Sequence, residues 1–377
     1  MGWGPVTVTG ATPSLSLREA SAGELERWDD LVGRFQNHRV VHRRAWIEFL
    51  EATGDGSPLY LVFERAGEVV ACQPGLLVRL GPLRLYGSPL PGWQTVSMGP
   101  AFDPARVTTR ELVAALLPFL ERRHGVHHAE LMGYDLDPEA MIALGFRGEM
   151  VPTYRTRMHP GDEATTLKGL KDSARRNIKR ALKLGLDVRF EDDERFVDEH
   201  YEQVREVYVR GGNTLPFGKR RILECFRRLR AAGNLLAASV YLPDGRTSVA
   251  SGMFTVEANE LLLWTWAHRT AHRWYRPTEL MTWTVMQRAM AAGCDTFDFM
   301  GIGEFKTKFG ARLDDRKYRW VRSRYHWLTQ LRDWAQKGFY WQQRLRGRLV
   351  RLTAARGNGD HEEATVSGTA GREGEAS

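Results

Sequence analysis

The stretch GCDTFDFMGIGEFKTKFG, residues 293–310, decides how the rest of the chain is read. A helical pattern leads into it through Leu280, Val285, Met286, Ala289, Met290 and Ala292. That pattern stops at Gly293, since glycine takes the positive φ of a helix end without a Cβ clash. Thr296-Phe297-Asp298-Phe299 is aromatic and β-branched around one carboxylate, and so predicts a short buried strand. Met300 to Gly303 predicts a tight turn, and Glu304 to Gly310 a short helix. The sequence thus gathers Asp298, Glu304 and Lys306 at a strand end, where open α/β sheets place their ligand sites.

Upstream, the same order of parts occurs once more. A helix over Thr108–Arg123 ends at Gly125, and a strand with Glu130 in it runs to Gly133. A short helix from Asp137 to Ala143 and then Gly145-Phe146 follow. The order suggests an internal duplication, with Glu130 standing where the later copy has Asp298 and with no lysine-bearing helix. His127 and His128 are adjacent on that strand and point to opposite faces, so they are poor joint metal ligands and are expected as surface imidazoles.

The stretch 293–310 resembles the tail of the acyltransferase domain in the FemAB and CelD-type branch of the GNAT superfamily. Gly293, Phe297-Asp298-Phe299, the Gly303 to Lys306 run and Phe309-Gly310 carry the likeness. It extends upstream to about residue 165 and more faintly into the N-terminal half. The fold it implies is α/β (α+β), with two tandem GNAT-like domains, each a mixed twisted sheet flanked by helices. Their expected bounds are 1–150 for a degenerate copy that supplies a wall of the cleft and 151–325 for the acyltransferase domain. A basic amphipathic helix over 326–353 and a disordered tail over 354–377 complete the expectation.

Composition agrees with two cores. The chain has 377 residues, 42% hydrophobic and 10% aromatic. Cys72, Cys225 and Cys294 are few, odd in number and far apart, which excludes a disulfide framework and a Cys-x-x-Cys zinc site. No metal is expected. The N-terminal sequence has no basic-then-apolar leader, and no apolar run is long enough to span a bilayer. A cytoplasmic protein, peripheral at most to the inner face of a membrane, is expected. The net charge is +8, and the tail from Ala354 carries five acids and two arginines, which leaves +11 on residues 1–353. Such a body suits a phosphate-bearing donor, tRNA or an anionic membrane surface, the last through residues 326–353. DNA is not expected.

Two segments carry most of the candidate anion-binding charge. A helix over Glu163–Leu184 sets Lys168, Lys171, Arg175, Arg176, Lys179, Arg180 and Lys183 against Asp172. Arg175 and Arg176 each lie about one turn before Lys179, and the three can contact phosphates. Farther on, hairpins at Pro243-Asp244-Gly245 and Ala258-Asn259 predict a three-stranded meander ending at His268. Arg269, Arg273 and Arg276 follow it, with Pro277 at a helix start. Most GNAT enzymes carry a glycine-rich loop there whose amides cradle the CoA pyrophosphate, and this chain does not. The departure leaves the donor open between acyl-CoA, which CelD-type proteins are thought to use, and aminoacyl-tRNA, which FemAB proteins use. The resemblance makes Lys306 a holder of phosphate or oxyanion. Asp298, Glu304 and His268 are the candidate bases, and Asp298 alternatively caps the glycine turn.

Overall fold

The computed structural model describes residues 14–325. In chain order the elements begin with β1 (Ser16–Glu19), α1 (Ala22–Glu26), α2 (Trp28–Val32), α3 (Arg44–Ala52), β2 (Ser57–Arg65), β3 (Glu68–Leu80) and β4 (Leu83–Ser88). Then come β5 (Ala101–Phe102), α4 (Thr109–His124), β6 (His128–Gly133), α5 (Pro138–Ala143), β7 (Arg147–Met150) and β8 (Thr153–Arg157). The second half holds α6 (Glu163–Gly169), α7 (Asp172–Lys183), β9 (Asp187–Phe190), α8 (Arg195–Arg210), α9 (Lys219–Ala231), β10 (Leu235–Tyr241), β11 (Ser248–Glu257) and β12 (Glu260–His268). It closes with a 3-10 turn (Thr270–Tyr275), α10 (Pro277–Ala291), β13 (Thr296–Asp298), a second 3-10 turn (Glu304–Phe309), β14 (Arg312–Asp314) and β15 (Tyr318–Ser323).

Two sheets repeat one plan. The first runs β1-β2-β3-β4-β6-β15-β7, with β5 added on β3, and the second runs β9-β10-β11-β12-β13-β8-β14. In each, an antiparallel meander (β2-β3-β4, β10-β11-β12) is followed by a helix (α4, α10) and then by a strand parallel to the last meander strand. The architecture is therefore α/β with two mixed, helix-flanked sheets of the same layout, as the duplicated sequence pattern implies.

The sixth place in each sheet is filled from elsewhere in the chain. β15, near the end of the described residues, lies between β6 and β7 in the first sheet. The expected bounds put this strand in 151–325; among the described residues, 313–325 fall in the first compact unit with 14–154 and 300–302. The physical reason is burial. Trp320 and Val321 are 2% exposed, and the Trp320 ring lies over Gly148, where any Cβ would clash with it. Before β15, β14 ends at Asp314, and residues 315–317 separate the two short strands.

Other expectations also change. The helix expected over Glu163–Leu184 is two helices, because Leu170 is extended and buried and the Lys171 amide donates to the carbonyl of Lys308 at 2.9 Å. His128 is not a surface imidazole but is buried at 3% exposure, its Nδ1 2.6 Å from Ser323 Oγ and its Nε2 3.0 Å from Glu130 Oε1. The basic amphipathic helix and the tail, 326–377, lie outside the described residues. No helix among the described residues is long and apolar enough to cross a membrane.

Candidate functional site

The second compact unit, which includes residues 155–299 and 303–312, holds most of the candidate groups. Its central feature is the parallel pair β12–β13. The two strands pair only over Glu260–Leu262 with Thr296–Asp298, whereas β12 runs on to His268. Beyond Leu262, β12 is therefore left by β13. There it also bulges: Phe254 faces Leu263 and Met253 faces Thr265, so Trp264 is an extra residue. A bulge of this kind redirects backbone groups beside a strand opening. Aromatic side chains line the parting, with Trp266 at 6.0 Å from Phe299 and 5.6 Å from Phe305, centroid to centroid.

The strand opening leads to the start of α10. Arg276, in the left-handed region at φ 62°, precedes Pro277 in the first turn, and no side chain caps the helix. The equivalent helix of the first half, α4, is closed by its own residues. Thr108 accepts from the Glu111 amide, and Glu111 accepts from the Thr108 amide. The start of α10 thus lacks, among the described residues, the side-chain cap that closes the start of α4.

Cations surround that end. Arg273 and Arg276 are exposed on the 3-10 turn and at the helix start. Arg176, Lys179 and Arg180 are exposed on α7, which packs on α10. Trp274 is 46% exposed, stacked closely on Tyr275, with the Arg180 guanidinium 5.9 Å from its ring. The two remaining sequence candidates for the donor are spent on the protein. Arg175 pairs with Asp172 and donates to the Lys168 carbonyl. Arg269 bridges Glu199 at 2.7 Å and Glu206 at 3.3 Å.

The candidate catalytic residues fall in four different settings. Asp298 is 1% exposed and sits across from Arg155, whose Nε is 3.9 Å from its carboxylate. In the first sheet Glu130 holds Arg319 of β15 at 2.9 Å in the corresponding way. In both halves the carboxylate pairs with an arginine of the strand in sixth place, directly opposite in the second sheet and diagonally placed in the first. Lys306 turns back on the strand end and donates to the Phe299 carbonyl at 2.8 Å. Glu304 is exposed at the start of its 3-10 turn. His268 is half-buried at the end of β12; burial, and then Arg210, push its pKa below the ordinary 6.5, which favours the neutral ring. Its cross-strand partner is Ala250, whose neighbour Gly252 would touch Met281 of α10 if it carried a Cβ. His268 is thus on the α10 face of the sheet.

A polar cluster on that face has no counterpart among the sequence candidates. Glu279, in the first turn of α10 and 3% exposed, accepts from Asn177 Nδ2 of α7 at 2.8 Å and from Lys308 Nζ at 3.2 Å. Both bonds go to Oε1, and Oε2 makes no bond among the described residues. Lys308 also lies 4.8 Å over the Phe305 ring, and Lys171 reaches Thr307 Oγ1 at 2.8 Å. The sequence signal for Glu279 was an acid in a first helical turn, which ordinarily reads as a dipole complement alone. Among the described residues, no group of three or more His, Cys, Asp or Glu is placed to hold a metal ion.

Comparison with solved structures finds the same fold at low identity. FemX superposes with a TM-score of 0.66 at 15% identity, over 81% of this chain and 96% of that one. A conserved protein of unknown function from Bacteroides thetaiotaomicron gives 0.53 at 9%, over 81% and 99%. A tandem GNAT protein from the clavulanic acid biosynthesis pathway gives 0.50 at 12%, over 83% and 99%. A search of curated proteins finds no match. Residues 169–309, which include α7, the uncapped start of α10 and the strand opening, match the family model described as an acetyltransferase (GNAT) domain.

Proposed function

We propose that this protein is an N-acyltransferase that moves an acyl group from acyl-CoA to an amine of a small metabolite or saccharide precursor. The observation that carries this reading is the contrast between the two halves. The second half alone leaves the helix after its meander uncapped, beside a parted parallel strand pair and exposed cations of α7. The donor's phosphates would lie at the α10 start, held by Arg273 and Arg276 and by Arg176 and Lys179. Its acyl arm would follow the opening along β12, where backbone amides at the bulge would stabilise the developing oxyanion.

Attack by the amine requires that it lose a proton. His268, neutral and at the β12 end, is the proton acceptor in this reading, and Glu279 with Lys308 orients the charge around it. The amine nitrogen bonds to the acyl carbon, the carbon–sulfur bond breaks, and the thiol leaves with a proton. Asp298 and Lys306 serve the framework of the strand end, and Arg175 and Arg269 hold helices in place.

A second reading, aminoacyl-tRNA as donor, is favoured by Trp274. An exposed indole between Tyr275 and Arg180 suits stacking of an unpaired base. The test is thiol release from acetyl-CoA in the presence of a panel of primary amines, run beside a lysate assay with and without RNase. Amine-dependent thiol release abolished by His268→Ala supports the first reading. RNase-sensitive transfer without thiol release supports the second. No transfer in either assay would overturn both.

A further inference from the structure

The α8 face of the second sheet carries a cleft of about 540 Å³, within the usual range for small-ligand sites. It lies where β10 ends and β11 begins, roofed by α8 and the 3-10 turn after β12, and is lined among others by Glu199, Glu206, Arg246, Ser248, Arg269 and His272. This is the face opposite His268, since Ser251 and Ala267 are cross-strand partners on the α8 side and Ser251 Oγ bonds to His200 and Gln203 of α8.

Its walls are fixed by bonds that leave particular atoms unused. Glu199 Oε1 accepts from Gln203 Nε2 at 2.9 Å and from Arg269 Nε and Nη2 at 3.1 and 2.7 Å, while its Oε2 has no partner among the described residues. Glu206 spends both oxygens, on the Thr270 amide at 2.8 Å and on Arg269 at 3.3 Å. Burial alone would push its pKa up, but these bonds outweigh it and hold the carboxyl ionised. Ser248 Oγ accepts from Gln203 at 3.1 Å and keeps its own proton to donate. Asp244 ties the β10–β11 turn through the Arg246 and Thr247 amides at 2.8 and 2.9 Å. Arg246 is thereby presented at the lip, its guanidinium making no bond among the described residues. The His272 ring nitrogens are likewise unbonded among the described residues.

One open carboxylate oxygen and one open guanidinium share the cleft with a hydroxyl donor and an imidazole. We propose that it binds a small zwitterion, an amine that also carries a carboxylate or phosphate. The ammonium would lie against Glu199 Oε2 and the anionic group against Arg246 and Ser248. A fully anionic ligand would meet the Glu199 and Glu206 carboxylates, and a simple amine would leave Arg246 unmatched. The inference does not depend on acyl transfer, and its test uses binding alone.

The probes are a series of ω-amino carboxylates, glycine, β-alanine, 4-aminobutyrate and 6-aminohexanoate, with acetate and ethylamine as single-charge controls, followed by calorimetry and ligand-observed NMR on the full chain. One chain length is expected to bind at least tenfold more tightly than either control. Glu199→Gln and Arg246→Ala are each expected to weaken it tenfold or more. Glu199→Gln keeps the Gln203 and Arg269 geometry nearly isosteric, and circular dichroism of both variants checks folding. Equal binding of zwitterion and controls, no saturable binding of any probe, or binding that folded variants leave unchanged would overturn the proposal.

Discussion

His200 lies at zero exposure in the second core, stacked on Phe196 with ring centroids 5.1 Å apart. Ser251 Oγ donates to Gln203, so it accepts from His200 Nδ1, and Nε2 is left as a bare lone pair with no hydrogen-bond partner among the described residues. Burial pushes the pKa from 6.5 down to about 3. His42, fixed between the Arg39 amide and the Gly99 carbonyl, is pushed down to about 4, chiefly by burial. A depressed folded pKa means that the unfolded chain takes up the proton first. The stabilisation is therefore whole above about pH 6.5 and is lost as pH falls toward 3. Urea unfolding across pH 7 to 4 should show falling stability, with a shallower slope in His200→Gln. An unchanged slope would contradict this assignment. Lysines 306 and 308 illustrate what the sequence did not show at this scale. Two residues apart on a 3-10 turn, they point different ways, one to the Phe299 carbonyl and one to Glu279. The motif made Lys306 the candidate; the bonds put Lys308 in the polar cluster.

At the scale of elements, the stretch 293–310 was legible because its turns are chemically constrained. Gly310 ends the second 3-10 turn at φ 73°, and a Cβ there would stand 2.8 Å from the Gly169 carbonyl. Gly310→Ala should cost about 1–3 kcal/mol in urea unfolding through left-handed strain and that clash; a loss under a few tenths would show that the turn relaxes freely. The meander β10–β12 was legible too, from its Asp-Gly and Ala-Asn turns. The break in the basic helix was not. Leu170 and Lys171 have ordinary helical propensity, and what unwinds them is a distant partner, the Lys308 carbonyl. The charge on α7 reads in the sequence as a row, but a row does not reveal which members fold back on Asp172 and which stay exposed.

For the whole molecule, the duplicated plan could be read in the order of helix, glycine and strand. The placement of β15 could not. A strand with one buried face satisfies any sheet edge of matching register, and pairing between residues almost two hundred positions apart leaves no local mark (Arg319 with Glu130, for example). Because Trp320 is part of the first core, Trp320→Ala should destabilise the chain by about 3–5 kcal/mol. Its signature should be loss of amide protection in β6 and β7, measured by hydrogen exchange; loss confined to β10–β13 would contradict the topology. In the proposed reaction the cation-lined start of α10 holds the phosphates of an acyl donor. Isothermal titration of acetyl-CoA into the native chain and into the double variant Arg176→Glu, Lys179→Glu tests it most directly. Saturable binding weakened at least tenfold in the variant is the predicted result, whereas equal affinity in both, or no heat of binding in the native chain, would contradict it.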